Sequence, residues 1–106
     1  MSRIVLVLTT VPADALGEEI ATALVAERLA ACVNISAPMT SIYRWKGKVE
    51  RETERQLVIK TTVDRVNVLQ QRIKELHSYE LPEFIGIELS GGSEAYLQWV
   101  ATEVQP

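Results

Sequence analysis

Few residues in this 106-residue chain can do chemistry. One cysteine, Cys32, stands in "RLAACVNI", and one histidine, His77, in "LHSYELPE". A thiolate suits Cu(I) or Zn. A nucleophilic or redox role would need a neighbouring base or a second cysteine, and no Cys-x-x-Cys is present. The structural alternative for Cys32 is a small buried hydrophobe. His77 offers an imidazole, which when neutral is a good copper ligand, with Glu80 and Glu83 near it in sequence. Its structural alternative is an imidazole at a helix C-terminus, where positive charge is favourable. A looser polar-aromatic set comprises Tyr43, Trp45, Glu50, Lys60, Tyr79 and Trp99. Its polar tips could line a recognition pocket or lie satisfied in a packed interface.

Composition narrows the field. Hydrophobic residues make up 47% and charged residues 24%, an ordinary globular balance, and the formal net charge is -3. Duplex binding needs a clustered basic surface, and none is visible, so nucleic acid is not an expected partner. The charges in "GKVERETERQ" alternate in sign and read as a solvated strand face. A single cysteine forms no intramolecular disulfide, which suits a reducing compartment. The apolar run Ile4 to Leu8 is too short for a signal-peptide core. No segment approaches the roughly 18 apolar residues of a membrane span. The expectation is a soluble, cytoplasmic protein without a membrane partner.

The elements that must position these residues follow from periodicity. "RIVLVLTT" is a continuous apolar run and reads as a central strand buried on both faces. Pro12 ends it, and Asp14 suits a helix start. Leu16, Ile20, Ala23 and Leu24 recur at helical spacing, and the helix is expected to end near Leu29. Gly17 weakens that helix by about 1 kcal/mol relative to Ala, which points to close packing. "CVNI" opens a second strand. Pro38 interrupts it with a bulge or edge, and it resumes through "TSIYRW". Gly47 in "WKGK" marks a tight hairpin. The return strand is "KVERETERQLVIKTT", with Glu50, Glu52 and Glu54 on one face and Leu57 and Ile59 on the other. A second helix opens at Thr62, a candidate N-cap, with Val66, Leu69, Ile73 and Leu76 as its apolar stripe. "EFIGIEL" is the last strand. Ser93 caps a third helix whose apolar face is Tyr96, Trp99 and Val100.

This order, β-α-β-β-α-β with an extra C-terminal helix, is an α+β, ferredoxin-like pattern in one domain spanning residues 1–106: an antiparallel sheet with helices on one face. The two middle strands run to about 13 residues, roughly 43 Å at about 3.3 Å per residue, against about six in the outer strands. Half of the long central hairpin therefore overhangs its own sheet, and a lone two-stranded ribbon is marginal in water. It carries Ile42, Tyr43 and Trp45. Further copies of the same chain are the expected cover.

"TTVP", "ALVAERLAACVNI", "SIYRWKGKVE", "VIKTT", "LHSYELPE" and "AYLQWV", in this order, resemble the CutA family of divalent-cation tolerance proteins over nearly the whole chain. The resemblance implies a ferredoxin-like fold, a homotrimer, and a link to tolerance of copper and other divalent metals. It also implies kinship of architecture with PII-type nitrogen-signalling trimers. Copper-ligand positions of the family fall on Thr9, Leu76 and His77, of which only His77 can coordinate well. The resemblance therefore implies weak copper(II) binding and no required cofactor. It also implies that Tyr43, Trp45, Glu50, Lys60, Tyr79 and Trp99 gather in clefts between subunits. Two other activities on this fold lack their residues. "TTVPAD" has no arginine for an acylphosphatase-like site, and "RIVLVL" and "RQLVIK" have no paired aromatics for RNA. The expected function is metal-linked binding or signalling rather than catalysis. The alternative is a PII-like small-molecule sensor that uses inter-subunit clefts.

Overall fold

The computed structural model describes residues 3–106. Strand β1 (Ile4–Pro12) leads into helix α1 (Leu16–Ala26). Strands β2 (Cys32–Ile35) and β3 (Met39–Trp45) follow, then the long β4 (Lys48–Thr62). A 3-10 turn over Val63–Arg65 precedes helix α2 (Val66–Leu76), strand β5 (Ile85–Glu88) and helix α3 (Glu94–Glu103). The sheet is antiparallel throughout, in the order β2-β4-β1-β5, with β3 pairing β4 beyond β2.

Strand alternation assigns each side chain to a face. Val5, Val7 and Val11 of β1, with Leu57 and Ile59 of β4, point to one face and are buried. They pack with Ile20 and Leu24 of α1 and with Leu69 and Ile73 of α2 in one cluster. Val66 and Leu76 flank it, so the expected α2 stripe is the face that packs. Gly17 is where α1 meets β1. A Cβ there would lie 2.9 Å from Val11 Cγ2, so a larger residue would force the two elements apart.

The opposite face is less finished. Helix α3 covers one end of it, where Val100, Ala101 and Val104 pack with Ile4 and Ala31. The rest of that face, including Leu6, Leu8 and Val58, stays half-buried. The first strand is thus closed on the α1–α2 side and partly open on the other, rather than buried on both.

Three local expectations are corrected. Helix α1 stops at Ala26, not near Leu29: Arg28 takes φ +60, and the amides of Leu29 and Ala30 both return to the Leu24 carbonyl. Thr62 is not a side-chain cap of the second helix. It is extended, ends β4, and its hydroxyl is buried without a partner among the described residues. Ser93 does cap α3, accepting from the Tyr96 amide at 3.3 Å, but Tyr96 and Trp99 stay exposed. The buried residues of that helix are Val100 and Ala101.

The central hairpin is as long as its sequence implies. Lys46 and Gly47 have φ +49 and +81, the positive values a two-residue hairpin turn requires. Strand β1 pairs β4 only from Glu54 to Thr62, so residues 48–53 have β3 as their one neighbour. The fold is correspondingly elongated, with a longest extent of 44 Å.

Candidate functional site

The loop after α2 brings the candidate residues together. His77 ends that helix in an extended conformation. Its Nδ1 accepts from the Tyr79 amide at 3.1 Å, so the ring proton sits on Nε2. Nε2 then donates to the Thr10 carbonyl at 2.7 Å. Both nitrogens are engaged in tying the loop to β1. The Tyr79 ring stacks at 4.5 Å on the imidazole. Its hydroxyl reaches β4 and donates to Glu54 Oε2 at 2.7 Å.

Glu54 is only 6% exposed. It sits on the open face of the sheet at the root of the overhanging hairpin, opposite Pro12 on one side and Met39 on the other. Burial, then the bond to Glu54, pushes the Tyr79 hydroxyl well above the usual tyrosine range. The Tyr43 hydroxyl is also raised, by desolvation first and then by Glu52, Glu54 and Glu50. Tyr43, Trp45, Glu54, Tyr79 and Phe84 line a cleft of about 900 Å³ between the hairpin and the loop. Its volume suits a small molecule.

The six polar-aromatic residues divide into two groups. Tyr43, Trp45 and Tyr79 line this cleft, and Glu50 lies further along the hairpin on the same strand face. Lys60 and Trp99 belong to a second group near α3. There Lys60 Nζ meets the Tyr96 hydroxyl at 3.3 Å and its ring centroid at 5.5 Å, and Tyr96 stacks on Trp99 at 5.5 Å. Cys32 is the register partner of Lys60, half-buried, with Sγ 4.0 Å from Asn34 Oδ1. Cys32 and His77 share no metal cluster. Among the described residues no three His, Cys, Asp or Glu side chains converge on one point. Thr9 is fully buried on the α1–α2 side, and Leu76 packs at the edge of that core.

Sequence reasoning missed Glu54 and Tyr96. The period-two pattern placed Glu54 with Glu50 and Glu52 on a solvated face. It is buried, between Pro12 and Met39, and its hydrogen-bond partner Tyr79 is distant in sequence. Tyr96 sits in a helix whose amphipathic pattern is weak, so its contact with Lys60 had no sequence signal.

Residues 5–103 match the family described as CutA1 divalent ion tolerance protein. The chain is 47% identical over 94 residues to the Divalent-cation tolerance protein CutA of Thermus thermophilus, covering 89% of this chain and 91% of that one. It is 40% identical to the chloroplastic CutA protein of Arabidopsis thaliana, over 91% of this chain and 53% of that one. The crystal structure of CutA1 from Oryza sativa superposes with a TM-score of 0.95 at 36% identity, over 98% of this chain and 95% of that one.

Proposed function

The chain belongs to the CutA1 divalent ion tolerance family, and from that footing we propose that it works as a homotrimer that binds ligands at its subunit boundaries and catalyses no reaction. The observation that carries this reading is the unaccompanied hairpin. Residues 48–53 pair only with β3, and Ile42 and Val49 are each 69% exposed. The half-buried Leu6, Leu8 and Val58 add a second apolar surface on the opposite, open face of the sheet, the face that carries Tyr43 and Trp45 of the hairpin. Two neighbouring copies related by a threefold axis would supply the missing cover to every subunit alike. A free, half-buried thiol at Cys32 agrees with a reducing compartment such as the cytoplasm.

Copper(II) binding in this reading is weak and runs through His77. Thr9 and Leu76 cannot complete the shell. His77 itself must give up the Tyr79 amide or the Thr10 carbonyl to coordinate. The test is calorimetric titration of copper into wild type and His77→Ala. Weak binding that falls in the variant and fades on acidification supports the reading, because coordination needs a neutral imidazole. Equal affinity in the two proteins removes His77 from the site.

The cleft beside Tyr79 favours a second reading, a small-molecule sensor of the PII kind. A walled cavity next to a surface that other subunits would cover is a place where a ligand could report on assembly. Thermal-shift screening separates the two readings, since whatever binds the folded state raises the melting temperature.

A further inference from the structure

The charge on the cleft wall is one-sided. Glu54, Glu80 and Glu83 line it, and no lysine, arginine or histidine does. Among the described residues, Glu80 alone has an ion pair, with Lys46 at 3.5 Å in open solvent. Glu83 Oε2 is buried without a partner among the described residues. Glu54 is more than nine-tenths buried, and the one side chain bonded to it among the described residues is the neutral Tyr79 hydroxyl. A carboxylate removed from water is costly unless a positive group meets it. Aromatic rings stand beside these carboxylates, at Tyr43, Trp45 and Tyr79, and the face of an aromatic ring attracts cations; Lys46 Nζ already lies 5.5 Å from the Trp45 ring centroid, and Tyr79 has one face on His77.

We propose that this cleft binds a small organic cation, a primary ammonium group on an apolar body, with the ammonium against Glu54. The inference rests on reading the cleft as a ligand site and adds the chemical class of the ligand. An anion would face three like charges. A bare metal ion would lack convergent ligands, because the acidic side chains do not cluster closely enough to coordinate one. An ammonium carried on a hydrocarbon body needs no such convergence. Its charge meets Glu54, its N–H groups have the remaining carboxylate oxygen to bond, and its body lies among Trp45, Phe84 and Ile85.

Three molecules of one shape and different charge test this on the assembled protein: benzylamine, benzyl alcohol and benzoate. Binding is followed by calorimetry and by NMR shifts of the Tyr43 and Tyr79 rings. Benzylamine is expected to bind about tenfold or more tighter than benzyl alcohol, with benzoate weakest and the shifts confined to the cleft. Glu54→Gln should abolish the preference for the cation, while Tyr79→Phe, which keeps the carboxylate, should retain it. The comparison of the three probes on wild type is decisive even where a variant misfolds. Equal binding of amine and alcohol in the cleft overturns the cation while leaving the cleft as a site. Binding of neither at millimolar concentration overturns both. A cleft already filled by a lysine or arginine of a second copy would give that last result.

Discussion

The two ends of β4 are made of one strand and live in different environments. From Leu57 to Thr62 its inward side chains lie under α1 and α2, and Leu57 and Ile59 have no exposed surface. From Lys48 to Thr53 the strand has one neighbour and no helix, and Val49 is 69% exposed. The first half is completed by its own chain. The second half presents apolar side chains that the chain itself does not cover, which an isolated ribbon does not sustain in water. Glu54 and Tyr79 sit at the junction. The difference teaches that one chain closes its core at the helix-covered end and leaves the hairpin end, with the cleft beside it, open.

The comparison breaks most readily at the helix-covered end. Leu57→Ala opens a cavity under α1 and should cost about 2–5 kcal/mol in chemical denaturation. At the hairpin end the same measurement should register little within a subunit, and the loss should appear in assembly. Trp45→Asp should weaken subunit association by about 2 kcal/mol or more, as buried aromatic anchors do. Glu52→Ala, on the exposed part of β4, should leave it nearly unchanged. Sedimentation over a concentration series reads both.

Tyr79→Phe tests the junction. It leaves Glu54 buried without its hydroxyl partner and should cost about 1–3 kcal/mol. The sign of its pH dependence follows from the raised Tyr79 hydroxyl. Unfolded tyrosine ionises near about pH 10, whereas the folded group holds its proton to higher pH. The stability it contributes is complete below that pH and is lost as pH rises beyond it toward the folded value. Alkaline melting curves should therefore fall less steeply in Tyr79→Phe than in wild type.

Cys32→Ala should have the smallest effect, no more than about 1 kcal/mol, because the thiol is half-buried and bonded only weakly to Asn34. Thermal melting checks it, and a loss of metal binding in the same variant would contradict a structural role.

The sequence makes the helix-covered end easier to read than the hairpin end. The α2 stripe and the close packing at Gly17 follow from short-range rules, and both are present there; elsewhere the same rules give the Lys46–Gly47 turn and the Ser93 cap. Leu29 and Ala30 misled the reading of α1, because apolar residues past a helix end continue its pattern while the backbone has already reversed at Arg28. Part of the candidate site was legible within one chain: Tyr43, Trp45 and Tyr79 line one cleft, while Lys60 and Trp99 stand in a separate group beside Tyr96. Nothing local in sequence fixes distances between a hairpin, a loop and a terminal helix. Glu54 was hidden because its hydrogen-bond partner, Tyr79, lies 25 residues away in sequence.

The central claim is that copies of this chain complete what one chain leaves open. Light scattering coupled to size exclusion, at micromolar protein, tests it most directly. A single species of three 11.8 kDa chains, about 35 kDa, is the predicted result. A stable 11.8 kDa monomer that binds its ligands unaided would contradict it.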